Sequence, residues 1–404
     1  MRTVAYWLSL ILIFTIPWEN IVDLFGSGTV STPIGLLAAA FWIGTVVYTG
    51  KIRRPRPFHL VFLLFICWNV VSVLWSIDVD ETTSRLQTYV LLFGLVYIIW
   101  DLFTGPKALE AGLQAYVLGA WISVGSLMIN FLANNRSTYS RFTATGFGEG
   151  NLGITLALGI PIAWHLATSE NRNKIVSWLS VANVIYVPAA LFAIVLTASR
   201  GSLFTALPGL LFILASFQRL RVGVRVLVFL ALVSALFLIQ PLVPKESIQR
   251  LATADESIAE GDLNGRVAIW EAGLHAFTEH PILGVGSSAF RRATEIGKMA
   301  HNSYLSVLVE TGIPGFILFA TTWMMAVIFA LHHPKHARRF WLSLLVLLAI
   351  GIFSLNWAHR KQTWLFPSLV VVSASLTTRR IEDETAAESQ LNIADKRLIA
   401  SSLD

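Results

Sequence analysis

The chain has 404 residues, of which 55% are hydrophobic and only 13% charged, with a mean hydropathy of +0.66; a soluble domain carries about 25% charged residues. That balance excludes a soluble globular enzyme and makes lipid the solvent for most of the chain. The net charge of +6 falls mostly in short loops between apolar runs, which speaks for membrane topology and against nucleic acid, and the single cysteine, Cys67, permits no intrachain disulfide or cysteine metal site.

In chain order, apolar runs bounded by polar residues, Pro or Gly fall at 4–25, 33–49, 58–75, 84–103, 108–132, 150–168, 176–198, 202–217, 223–240, 303–331, 340–357 and 363–377. One span needs about 20 apolar residues, so these runs predict an all-α integral membrane protein of about twelve transmembrane helices. The first run follows Arg2 but lacks a small-residue cleavage site, so it reads as a retained helix and not a signal peptide. With a cytoplasmic amino terminus, the inside loops collect Lys51, Arg53, Arg54, Arg56, Arg172, Lys174, Arg219, Arg221, Lys335, Arg338 and Arg339, as the positive-inside rule asks. Residues 1–380 form one polytopic membrane domain on this reading, and the polar segment 381–404 is a cytoplasmic tail.

One outer segment, residues 241–302, is too long for a connector, and long ordered loops are usually functional. Val267, Trp270, Leu274 and Phe277 recur there at helical spacing, which predicts an amphipathic helix with Asn264 as its cap and a stop at Pro281. The next run, 303–331, would be about 43 Å long as one helix, against a hydrocarbon core of about 30 Å. Gly312, Pro314 and Gly315 predict a break. The half-helix before that break starts at Asn302 or Ser303, with His301 beside it.

Once topology accounts for the inside charges, the outer basic residues remain: Arg136, Arg141, Arg200, Lys245, Arg250, Arg266, Arg291, Arg292, Lys298, Arg360 and Lys361, with His301 and His359. They are either solvated loop charges or a funnel that attracts an anion to the membrane surface. Arg200 lies between two apolar runs, where an arginine is costly. It either snorkels to the headgroups or holds a phosphate, which its planar fork matches bidentately. Arg266 opens the amphipathic helix, a position unfavourable to the helix dipole, so a partner is a better account of it than helix propensity. A helix start beside His301 favours the neutral imidazole that a general base requires. Glu310, two turns further on in an apolar stretch, needs a partner such as an outer arginine. The turn Gly284-Val285-Gly286 offers tight backbone near a ligand. No His-Glu-x-x-His, P-loop or Gly-x-Ser-x-Gly is present, so no metal or cofactor is implied.

Gly265-Arg266, Trp270, Pro281, Gly284-Val285-Gly286, Phe290, His301-Asn302-Ser303-Tyr304-Leu305, Leu308, Glu310, Gly312 and Gly315, with Ser199-Arg200-Gly201 and Gly150-Asn151-Leu152-Gly153 upstream, resemble the O-antigen ligase and O-antigen polymerase family of membrane glycosyltransferases. The helix count and the large loop between helices 9 and 10 are similar to that family too. The resemblance implies a GT-C-like fold in the bacterial inner membrane with a helical periplasmic loop. It implies metal-independent, inverting transfer of a glycan from undecaprenyl diphosphate to an acceptor sugar, which is lipid A core in a ligase and the growing chain in a polymerase. Arg200 and Arg266 would then bind the diphosphate and His301 would act on the acceptor hydroxyl, with Glu310, Asn302, Trp270, Arg141 and Tyr304 as substrate-binding residues. The partners implied are the lipid-linked glycan, an acceptor glycolipid or glycan chain, and membrane lipids. A transporter of a lipid-linked substrate is the competing class, but it calls for polar residues through the membrane midplane, and the apolar runs are nearly devoid of them.

Overall fold

A computed structural model of the chain describes residues 1–24, 28–137, 141–168, 178–217, 222, 225–226, 265–294 and 296–378. The helices follow the punctuation of the sequence. They are α1 (Arg2–Thr15), α2 (Ser31–Thr49), α3 (Pro57–Val71), α4 (Val79–Leu102), α5 (Pro106–Leu132), α6 (Glu149–Thr168), α7 (Trp178–Leu196), α8 (Arg200–Phe217), α9 (Arg266–Glu279), α10 (Phe290–Ala293), α11 (Ser303–Leu331) and α12 (Lys335–Ser354), with a further helix, α13, over 361–378. Pro57 and Pro106 open their helices in the first turn, where a missing N–H costs nothing. The Asp78 carboxylate accepts from Glu81 N at 3.3 Å and caps α4, a helix with Asp80 and Glu81 in its first turn, as the helix dipole favours. A two-residue antiparallel pair, β1 (Asp23–Leu24) with β2 (Gly28–Thr29), is the one extended element among the described residues.

Nine of the described helices are long and apolar enough to cross a membrane. The shorter apolar helix α1 and the helix α13 lie on two more of the expected runs. The expected run at 223–240 and the loop residues 241–264 lie outside the described residues, among them Lys245, Arg250 and Asn264.

Several polar groups inside the helical layer find partners in protein, as the absence of water favours. Gln114 on α5 and Asn183 on α7 exchange two amide hydrogen bonds of 3.1 and 2.9 Å. Tyr116 and Tyr186 donate to the carbonyls of Thr155 and Leu156, in the stretch of α6 just before its internal Pro161.

The loops segregate to two ends. At one, the buried Asp101 carboxylate accepts from Arg53 N at 2.7 Å and Trp42 Nε1 at 3.1 Å and pairs with Arg2. The Arg53 guanidinium lies over the Trp100 ring and reaches Ser375. Chain start, the 50–57 loop and the end of α13 therefore meet at that end. At the other, Glu19 pairs with Arg360 and Lys361 and accepts from Ser31, beside the segments that precede α11 and α13.

The expected break in α11 is present. Gly312 has φ +63° and ψ −170°, a non-helical residue between two helical pieces. A kink frees backbone groups that need new partners, and the loop Pro281–Gly286 supplies them. Val285 N donates to Val309 O at 3.0 Å, Gly286 N to Glu310 O at 2.9 Å, and Pro281 O accepts from Ile313 N at 2.9 Å. Trp68 Nε1 adds a bond to Thr311 O at 2.7 Å. The same loop is tied on its far side to the turn after α3: Ile77 N donates to Val285 O, Ser287 N to Ser72 Oγ, and Ser287 Oγ to Asn69 Oδ1. Of the two glycines in Gly284-Val285-Gly286, Gly284 allows close packing against the backbone of Glu310 and Gly312, and Gly286 against Ser76.

α9 lies on α11, with Trp270 and Phe277 of its expected face half-buried against their shared apolar cluster. Ile269, Gly273 and Ala276 are buried, whereas Leu274 is 49% exposed. The reason is contact distance: a Cβ at Gly273 would lie 2.8 Å from the Phe290 ring, so the small residues let that ring and the helix approach closely. The helix begins at Arg266 as expected, with Gly265 at φ +75° as its cap residue, and ends at His280.

Candidate functional site

His301 is held from both sides. Before it, Trp270 Nε1 on α9 donates to Ala300 O at 2.8 Å. After it, Asn302 caps α11, its side-chain oxygen accepting from Tyr304 N at 3.0 Å and Leu305 N at 3.2 Å, while its own N–H donates to Asn356 Oδ1 at 3.1 Å. Ser303 Oγ donates to Leu355 O and accepts from Trp357 N, both at 2.7 Å. Between these anchors His301 adopts φ +48°, a left-handed conformation that costs energy in a non-glycine residue and persists where surrounding contacts impose it.

The imidazole is half-buried. Its pKa is lowered, first by burial and then by the positive charges of Arg266 and Lys298. The direction agrees with the expectation from the helix start, but the cause is burial and neighbouring cations. Both causes favour the neutral ring.

Arg266, in the first turn of α9, is half-buried, and burial lowers its pKa, though a guanidinium stays charged at any physiological pH. Arg200 opens α8 from the other flank of the 354–357 segment. The next residue, Gly201, is so close to the end of α12 that an added Cβ would lie 3.3 Å from Ser354 Oγ. Leu355 and Asn356, the next two residues, are the partners of Ser303 and Asn302. Arg200 and His301 therefore flank one ridge, formed where the end of α12 meets the start of α11. The hydroxyls beside Arg200 are committed to structure: Ser199 Oγ accepts from Ser202 N at 3.4 Å and Ser202 Oγ at 2.8 Å.

Of the other expected residues, Tyr304 donates its hydroxyl to Ala349 O at 3.2 Å and sets its ring near Phe319 and Phe353. Trp270 also contacts Phe353. Both are thereby braces of the His301 segment. Arg141 is half-buried at the end of α7, where Phe142 N donates to Leu196 O, four residues before Arg200. Arg291, Arg292 and Lys298 are exposed.

Glu310 carries two hydrogen bonds, from Ser306 Oγ at 2.7 Å and Ser288 N at 2.8 Å. The cation nearest in effect is Arg85, which donates to Ser288 Oγ at 3.0 Å. Arg85, one turn into α4, was not among the basic residues singled out from the sequence, because it falls inside an apolar run. With Glu310, Tyr89, Ser306, Asn356 and His359 it lines a chamber of about 360 Å³. Burial and the charges of Arg85, Arg360 and Lys361 hold the His359 pKa well below its ordinary value. Glu19, the partner of Arg360 and Lys361, also escaped sequence reasoning. Its signal is a carboxylate at an apolar run's outer end, legible only once its cations are adjacent. Among the described residues no three His, Cys, Asp or Glu side chains are grouped to hold a metal ion.

Residues 185–320 match a family model described as O-antigen ligase. The match covers about a third of the chain and makes that segment similar to the O-antigen ligase family. The matched segment runs from α7 to the second half of α11 and includes Arg200, Arg266, His301 and Glu310. Arg85, Arg141, Glu19 and the 354–361 segment lie outside the match. No curated protein matches the chain. The match, together with the nine long apolar helices among the described residues, supports a multi-pass membrane protein of the O-antigen ligase or polymerase type.

Proposed function

We propose that the chain transfers a glycan from undecaprenyl diphosphate to a hydroxyl of an acceptor sugar, with lipid A core as the acceptor, and that it does so with inversion and without a metal. The reading places both termini in the cytoplasm of a bacterial cell, the helices in the inner membrane, and the His301 end in the periplasm. The observation that carries it is an imidazole fixed in a left-handed conformation beside Arg266, with Arg200 on the same ridge.

The chemistry follows from those groups. The acceptor hydroxyl attacks the anomeric carbon opposite the bond to the diphosphate, and His301 takes the hydroxyl proton as general base. The carbon–oxygen bond to the diphosphate breaks with its electron pair on the leaving oxygen. Arg266 and Arg200 meet the charge that develops there, positive groups already in place and needing little reorganisation as the bond breaks. Glu310, hydrogen-bonded by Ser288 and Ser306, keeps the start of α11 in register with the loop beneath it.

The test is transfer from undecaprenyl-diphosphate glycan by purified protein in EDTA, with His301→Ala and Arg266→Ala beside wild type. Loss of at least about a hundredfold, the usual scale for a general base, in folded His301→Ala supports the site. Wild-type rates in both variants overturn it. The acceptor that turns over separates ligase from polymerase.

A further inference from the structure

Neither Arg200, Arg266 nor His301 lines a groove of about 910 Å³ between α2 and α4. It arises from how α2 packs. That helix buries only Ser31, Ala38 and Thr45, a seven-residue spacing of small side chains, which leaves the rest of its surface unburied. Gly35 and Ala39 on α2 and Gly94 on α4 give the groove depth, and a Cβ added at Gly94 would meet nothing within 4 Å. The rims are apolar and open, with Ile43 53% and Val90 58% exposed, on helices long and apolar enough to cross a membrane.

The outer end of the groove is charged. Glu19, Arg360 and Lys361 line it, and the one carboxylate pairs with both cations, so the cluster keeps a positive charge. His359 lines both this groove and the chamber that holds Arg85 and Glu310. An apolar trough open to lipid thus ends at a cationic cluster, and His359 stands between it and a polar chamber bordered by Ser303 and Asn356.

We propose that this groove is the lateral entry site of the acceptor, an acylated anionic glycolipid. Its acyl chain lies along α2 and α4, its acidic group meets Arg360 and Lys361, and its sugar reaches the chamber past His359. The proposal rests on the transfer reading above. The donor's diphosphate belongs with Arg200 and Arg266 in that reading, on residues that line neither cavity, so the two lipids approach the ridge from different sides.

The probe is a phosphorylated, multiply acylated glucosamine disaccharide, measured in nanodiscs for binding by native mass spectrometry and, as acceptor, for KM. Gly94→Leu fills open space in the groove, and Lys361→Gln leaves Arg360 to pair Glu19. Both are expected to weaken binding about tenfold, equivalent to about 1.4 kcal/mol, and to raise KM for the acylated acceptor relative to its deacylated form. Unchanged binding in both folded variants overturns the groove. A rise in donor KM, with acceptor KM unchanged, assigns the groove to the donor and overturns the proposal. Weakened binding with no wild-type transfer keeps a lipid site but overturns its acceptor role, along with the transfer reading itself.

Discussion

Replacing Gly312 by alanine tests whether the kink in α11 is held by the loop beneath it. With φ +63° and ψ −170°, Gly312 occupies a backbone region essentially reserved for glycine, and a side chain there costs of order 1–3 kcal/mol. An added Cβ would also lie 2.1 Å from Ile282 O, so the loop must withdraw. Withdrawal endangers the three backbone bonds between Pro281–Gly286 and the kink, each contributing about 0.5–1.5 kcal/mol. Together the losses come to roughly 3–7 kcal/mol. Gly297→Ala is the matched control, since Gly297 has φ +66° but no atom within 4 Å of a Cβ, and carries the conformational cost alone. Chemical or thermal unfolding of the two variants in detergent reads the difference. Equal stability of Gly312→Ala and Gly297→Ala would refute the claim that the loop and the kink are one packed unit.

Lys298→Gln removes an exposed charge that depresses the His301 pKa, so that pKa rises. Because the neutral ring is the active form of a base, kcat/KM climbs with pH through the His301 pKa, and in Lys298→Gln its acid limb moves to higher pH; a pH–rate profile checks it. At Glu310, glutamine retains an oxygen for Ser288 N and an amide for Ser306 Oγ, so Glu310→Gln keeps most of the stability. Glu310→Ala leaves the Ser288 N–H without its acceptor and loses about 1–3 kcal/mol, measured by the same unfolding assay.

Much of the path was legible in the sequence because its causes are local. Apolar runs of membrane length, Pro57 and Pro106 at helix starts, Asn302 as a cap and the break at Gly312 each follow from the residue itself and its near neighbours. The start of α9 at Arg266 and its stop at His280 belong with these. The candidate site was legible in part: His301, Arg200 and Arg266 stand out as polar residues where a membrane chain disfavours them. Two details needed a distant surface: Gly284 answers to the backbone of Glu310 and Gly312 and Gly286 to Ser76, and the close approach of the Phe290 ring to Gly273 goes with an outward Leu274.

Sequence alone therefore determined that this is a helical membrane chain and where several of its helices start and break. Hydropathy, proline and glycine geometry and capping act over a few residues and need no partner. Only the tertiary structure decided that Arg85 faces Glu310 in a chamber, that Glu19 gathers Arg360 and Lys361 at the mouth of a groove, and that Trp270 and Asn356 clamp His301. Those contacts join residues tens to hundreds of positions apart, such as Lys361 and Glu19, separated by 342 positions. A buried charge or kinked backbone has no stable state until such a partner arrives, and which partner arrives is set by how the helices pack.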